Sequence, residues 1–182
     1  VDVTFIGECA FTYKGDIYTV PSTGGRASQI TTNPAHDTKP IWSPDGKKIA
    51  FASDRMGSMD IFEVNKEGGI PKRLTTHSGN ETPVAYKDAG HILFLANIMP
   101  TAEDAQFPSG QFQQVYEVNT EGGRPVLFSS MPMEDISINH TGNTLLYHDK
   151  KGYEDPWRKH HTSSITRDIW LCSLNGNRTF RK

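Results

Sequence analysis

Short apolar runs separated by Gly, Pro, Asp and Asn turn signals recur along the whole chain, and the plainest series lies between Thr38 and Thr76. There a run ending at Trp42 is followed by a Ser43–Gly46 turn, a second run through Ile49 and Phe51, a third over Asp60–Asn65, and a fourth after Gly68-Gly69. Four runs joined by three turns predict one four-stranded antiparallel unit. The third run and its turn return as Gly15–Gly25, Met59–Gly69, Gln114–Gly123 and Arg167–Gly176. Anchored on Ile17, Ile61, Val115 and Ile169, the copies stand 44, 54 and 54 residues apart.

Each piece of the unit has a physical reading. Ile61, Phe62 and Val64 favour extended backbone, and the alternation around them suits a strand with one buried face. Gly68-Gly69 and Gly122-Gly123 suit the positive φ of a tight hairpin. Lys72–Thr76 and its counterparts are short and partly charged, as expected of an outer edge strand protected against further pairing. The first half repeats as well: Trp42–Gly46 matches Tyr86–Gly90 and Ile138–Gly142, followed by strands through Ile49–Phe51, Ile92–Phe94 and Leu145–Tyr147. Pro44 presets φ, Asp45 bonds neighbouring backbone, and Gly46 takes the left-handed position.

Tandem four-stranded units of this size predict an all-β chain folded as a β-propeller. The blades fall at about 1–33, 38–76, 81–129 and 134–182, the first and last imperfect, in one domain or fragment spanning 1–182. Rings of this kind close with roughly 4 to 8 blades, so an arc of a larger propeller is expected. Val1 opens mid-pattern, which fits a piece of something longer.

Composition removes several alternatives. The formal net charge is -2 and the pI is near 6.4, which leaves no basic footprint for nucleic acid and no polybasic membrane patch. No apolar run approaches the ~20 residues of a membrane span. Cys9 and Cys172 lie in strand patterns and read as buried free thiols.

The run Trp42–Arg55, followed by Asp60-Ile-Phe62 and the Gly-Gly turn, resembles the propeller repeat of the TolB family. The same repeat occurs in the propellers of tricorn-type and prolyl-oligopeptidase-type serine peptidases. A narrower stretch, Tyr147–Trp170, is similar to a segment of bacterial tricorn-like peptidases. The resemblance implies a noncatalytic N-terminal propeller of a large peptidase that filters or guides peptides, with catalytic Ser and His in later domains. No catalytic residue carries over to this chain. It leans toward a cytoplasmic setting and leaves export open.

Searched directly, the chain has no G-x-S-x-G nucleophile motif. Of seven histidines only His160-His161 are adjacent, and neighbouring extended positions point apart, so no metal is expected and no cofactor either. The Gly-Gly pairs sit in repeated hairpins, not before helices, and read as turn glycines. Asp54-Arg55 reads as a structural turn pair.

The informative departures are two insertions between the second and third runs. From Phe11 to Ile17 is 6 residues and from Phe51 to Ile61 is 10, but Phe94 to Val115 is 21 and Tyr147 to Ile169 is 22. Both insertions are expected on one face of the disc, beside the links between blades. The first carries Phe107 and Phe112; the second carries Tyr153, Trp157, Arg158, Lys159, His160 and His161. Aromatics beside cations suit peptide carboxylates or a neighbouring domain. The expected partner is therefore a peptide substrate or the downstream catalytic domain of the same chain. The alternative is a free-standing TolB-like propeller that binds a partner protein.

Overall fold

The computed structural model describes residues 2–3, 7–97, 113–129, 131, 133–139, 141–149 and 168–182. Its strands form four separate antiparallel sheets, each a simple meander. The first contains β1 (Asp2–Val3), β2 (Glu8–Tyr13), β3 (Asp16–Pro21) and β4 (Ser28–Gln29). The second contains β5 (Asp37–Trp42), β6 (Lys48–Ser53), β7 (Asp60–Asn65) and β8 (Lys72–Arg73). The third contains β9 (Glu81–Asp88), β10 (His91–Ala96), β11 (Gln114–Asn119) and β12 (Val126–Ser129). The fourth contains β13 (Met133–Ile138), β14 (Thr144–Asp149), β15 (Ile169–Ser173) and β16 (Thr179–Arg181). Among the described residues no helix is long and apolar enough to cross a membrane.

The sheets are blades of a β-propeller. Their first strands meet one another, β1 on β5, β5 on β9 and β9 on β13, while β4, β8 and β16 lie at the exposed periphery. Packing runs from the first blade to the fourth, and among the described residues no extensive contact returns from the fourth to the first. The chain is thus an arc. β1 has two described residues, and β5–β6, β9–β10 and β13–β14 each pair with a register shift between their first and second strands.

The core lies between blades. Strand alternation gives each sheet two apolar faces, because a middle blade is covered on both sides. Ala10, Ile17 and Ile30 of the first blade pack on Trp42, Ile49, Phe51, Phe62 and Val64 of the second. Ile41, Ala50, Ile61 and Leu74 of the second then meet Ile92, Phe94, Tyr116 and Val118 of the third. Leu93, Val115 and Phe128 meet Leu145, Tyr147 and Cys172 of the fourth. An aromatic pair occupies the same register position in every blade: Phe11↔Tyr18, Phe51↔Phe62, Phe94↔Tyr116 and Tyr147↔Trp170.

The turns follow the expected chemistry with one exception. Gly46 and Gly142 take φ of 64° and 69°. In the first of these turns the Asp45 carboxylate accepts hydrogen bonds from Ser43 Oγ and Lys47 N, and the Ser43 bond foremost holds its carboxyl below the usual range. Gly90 is not left-handed. Its two-residue connection is instead closed by Asp88, whose carboxylate accepts from Gly90 N at 2.7 Å. Gly142 has a second constraint, since any Cβ there would collide with the Lys87 carbonyl of the preceding blade. Cys172 is a buried free thiol, as expected, and burial pushes it up; Cys9, expected to be buried, is only half-buried because it lies on the open face of the first blade.

Candidate functional site on the insertion-bearing face

In a four-stranded meander the link to the next blade and the connection between second and third strands reach the same face. Hydrogen bonds across that face confirm it. Asp37 N donates to Gly15 O at 2.7 Å and Glu81 N donates to Met59 O at 2.8 Å. His36 N, in the first inter-blade link, donates to the Asp54 carboxylate in the β6–β7 loop at 2.7 Å.

Both insertions are rooted on this face in neighbouring blades. The first leaves and re-enters at the Ala96↔Gln114 pair of β10 and β11. The second is pinned where Asp168 N donates to Asp149 Oδ1 at 2.8 Å, with Lys182 Nζ 2.7 Å from Asp168 Oδ2. The side chains expected to bind, namely Phe107, Phe112, Tyr153, Trp157, Arg158, Lys159, His160 and His161, lie outside the described residues.

Beneath the roots sits a layer of buried acids. Asp37 and Glu81 open the first strands of the second and third blades, opposite Ser53 and Ala96, and both are fully buried. Asp37 is held by Arg55, whose Nη2 lies 2.9 and 3.0 Å from its two oxygens. The Arg55 guanidinium in turn lies 4.6 Å from the Phe62 ring centroid and 5.4 Å from that of Phe51. A charge on an aromatic shelf is held at low entropic cost and stays partly desolvated.

Among the described residues Glu81 has no equivalent arginine. Burial, foremost, pushes its carboxyl up to about 7, and the nearby Asp60 charge adds to this. The Thr75 hydroxyl and Arg73 offset only part of it. Asp60, also fully buried, is raised by its own burial. Arg73 Nη2 lies 2.8 Å from Asp60 Oδ2, an ion pair without good hydrogen-bond direction, and His77 adds a weaker favourable field. Thr75 Oγ1 also accepts from Ile61 N at 2.9 Å, a bond that Thr31 repeats with Ile17 N in the first blade.

Chemically, this arrangement favours a proton on the buried Glu81 carboxyl at the base of the first insertion, with the Asp60 charge nearby. Among the described residues no three His, Cys, Asp or Glu side chains converge where a metal ion could sit. Outside the cluster, Arg73 and His77 line a groove of about 760 Å³ with Tyr116, Arg124 and Leu127, and Lys72 spans from the second blade to Glu121 of the third at 2.9 Å. Sequence reasoning passed over Asp60, Thr75 and Glu81. The available signals were the repeated Asp-Ile pair opening each third strand of blades one, two and four, and the Thr pairs at 31–32 and 75–76.

Comparison with known proteins bears on what this face belongs to. Residues 6–182 match the family model described as the tricorn protease N-terminal beta propeller domain. The tricorn protease homolog 1 of Streptomyces coelicolor is 26% identical over 163 residues, which is 89% of this chain and 14% of that relative. The chain therefore spans about one seventh of that relative's length. Among solved structures, TolB from Acinetobacter baumannii superposes with a TM-score of 0.69 at 21% identity, covering 98% of this chain and 41% of that one. The tricorn protease superposes with a TM-score of 0.58 at 15% identity, covering 92% and 17%. At these identities the structural likeness speaks for the fold alone.

Proposed function

Because the chain belongs to the tricorn protease N-terminal β-propeller domain family, we propose that it is the noncatalytic propeller module of a tricorn-like serine peptidase. In this reading its insertion-bearing face guides or filters peptide substrate, or docks the downstream catalytic domain of the same chain. The observation that carries the reading is the placement of two long insertions on one face in adjacent blades, rooted at Ala96↔Gln114 and at Asp149–Asp168. A rigid scaffold that presents long loops side by side is the usual way a repeat fold builds a recognition surface. The insertions add aromatic side chains at 107, 112, 153 and 157 and cations at 158 and 159. Those groups suit extended peptide with a free carboxylate.

Binding of fluorescent peptides with a free C-terminal carboxylate to this chain tests the reading, with the same peptides amidated as controls. Trp157→Ala with Arg158→Ala is expected to weaken binding at least about 10-fold, the scale of one lost charge-assisted contact. Equal binding by the double variant, or equal binding of amidated peptides, would leave the insertions without this role. Likeness to TolB structures supports the alternative of a protein-binding propeller through fold alone, and no feature of the face favours it.

A further inference from the structure

The seam between neighbouring blades recurs three times at the outer wall, and the strand registers align its positions. Gln29, Arg73 and Leu127 pair with Tyr18, Phe62 and Tyr116, so they hold one place on the outer strands. Four residues further on stand Asn33, His77 and Met131. Across each seam lies the β-hairpin of the following blade: Gly68 and Gly122 sit against the carbonyls of Ile30 and Leu74. Just past these turns come Ile70, Arg124 and, in the fourth blade, Arg178. The first seam thus carries Gln29, Asn33 and Ile70, and the third carries Leu127, Met131 and Arg178. Arg178 is used within the protein, since its guanidinium lies 4.0 Å from the Phe128 ring centroid and donates to the Phe128 carbonyl. The middle seam gathers Arg73, His77 and Arg124.

These three side chains line the groove of about 760 Å³ between the second and third blades, a size usual for ligand clefts. Buried Leu74 and Tyr116 and the exposed Leu127 supply its apolar surface. Arg73 Nη2 is held by Asp60, but its buried Nε meets no acceptor among the described residues. His77 Nδ1 accepts from Gly79 N at 3.0 Å, which leaves Nε2 as the N–H donor of the neutral ring. Arg124 is exposed and has neither an ion pair nor a hydrogen bond among the described residues. Glu121, the acid on this wall, is already held by Lys72 at 2.9 Å. The groove is apolar within, rich in donors, and short of negative charge.

One wall of the groove also ends in an unusual strand edge. β4 and β8 are two polar or charged residues each, the protected kind expected of outer strands. β12 has four residues, exposes Val126 at 66% and Leu127 at 42%, and is the last strand of its sheet. A longer apolar edge is a template for another extended chain. We propose that the groove between the second and third blades binds an extended segment of a separate polypeptide that carries an acidic side chain among apolar ones. The segment lies along β12 and pairs with its backbone. Leu74, Tyr116 and Leu127 take its apolar side chains, and its carboxylate accepts from Arg124 with His77 and Arg73 beside it. Both walls of this site belong to the middle of the arc, and it uses no insertion side chain, so it can fail while the peptide reading of the insertions stands, and the reverse.

Fluorescence polarisation tests this with labelled heptapeptides of alternating valine and threonine and a central glutamate, capped at both ends so that no terminal charge remains. Saturable binding is expected. Glutamine in place of the peptide's glutamate, or Arg124→Glu in the protein, is expected to weaken it at least about 10-fold, the scale of one charge-assisted hydrogen bond. N-methylation of alternate peptide residues is expected to weaken it as much, because it removes the donors that would pair with β12. Ile70→Glu, at the matching exposed position of the first seam, is expected to leave binding unchanged. Arg124 and Ile70 are both exposed, circular dichroism melts check that the variants fold, and the peptide changes leave the protein untouched. Absence of saturable binding up to about 1 mM overturns the proposal. So does binding indifferent to the glutamate and to Arg124→Glu, binding indifferent to N-methylation, or an equal loss with Ile70→Glu, which would place the peptide elsewhere.

Discussion

Asp37 and Glu81 occupy the same place in successive blades, each the first residue of an innermost strand and each fully buried, yet they live in different electrostatic worlds. Asp37 has both its oxygens in contact with Arg55, which the short β6–β7 loop supplies and which Phe51 and Phe62 hold in place. In the third blade the residue two beyond the strand partner of Glu81 is Ile98, the opening of the first insertion. Glu81 is left to share Arg73 with Asp60, and its carboxyl rises to about 7. Beside the short loop the buried Asp37 is paired with Arg55; at the root of the insertion the buried Glu81 carboxyl is pushed up to about 7.

The comparison can be broken from the Asp37 side first. Arg55→Ala removes the cation but not the buried carboxylate, and the expected loss is about 3–5 kcal/mol in urea unfolding. Adding Asp37→Asn is expected to recover part of that loss, because the residual penalty comes from the stranded charge. If the single and double variants are equally unstable, Arg55 acts by packing on Phe51 and Phe62 alone.

From the Glu81 side the test is pH. The folded carboxyl is raised from 4.5 to about 7, so the folded state holds a proton that the unfolded chain releases in between. The stability that Glu81 contributes is therefore fully present below about 4.5, falls as pH rises through this window, and is lost above about 7. The contribution is on the order of 3 kcal/mol over the window, because each tenfold change in proton affinity is worth about 1.4 kcal/mol. Glu81→Gln, which mimics the protonated form, is expected to flatten the profile and to be more stable than the parent at pH 8. A wild-type profile with no slope between pH 5 and 7 would count against a buried, unneutralised Glu81.

A smaller effect sharpens the contrast. Thr75→Val removes the acceptor of the Ile61 amide and one of the groups easing Glu81. The expected cost is about 1–2 kcal/mol, the scale for stranding one buried donor, with the midpoint of the pH profile moving upward. A cost without any movement of the midpoint would assign Thr75 to backbone satisfaction only.

Much of this architecture is legible in one dimension. The Asp-Ile-aromatic strand opening, the Gly-Gly hairpin and the Trp42–Gly46 turn are local devices, and their recurrence alone predicts about four four-stranded sheets of propeller type, the first and last imperfect. Loop lengths likewise show that the third and fourth blades overflow at the same connection. Asp54-Arg55 was readable as a structural pair, though its partner was not: Arg55 reaches back 18 residues to Asp37. Cys9 read as buried because its strand alternates like the others, and only the packing of the blades shows it half-covered.

What the sequence by itself determined is the repeat, since turn geometry and strand alternation depend on residues a few positions apart. What only the tertiary structure decided is which charges meet and which faces remain open. Asp60, Arg73 and Glu81 are brought together by the packing of one blade on the next, and the energy of a buried charge depends on that distance and burial, neither of which is written in its own neighbourhood. Leu146 and Ile169 match their counterparts in pattern, yet they are exposed where those are buried. A repeat encodes its own shape locally, and its chemistry arises at the seams.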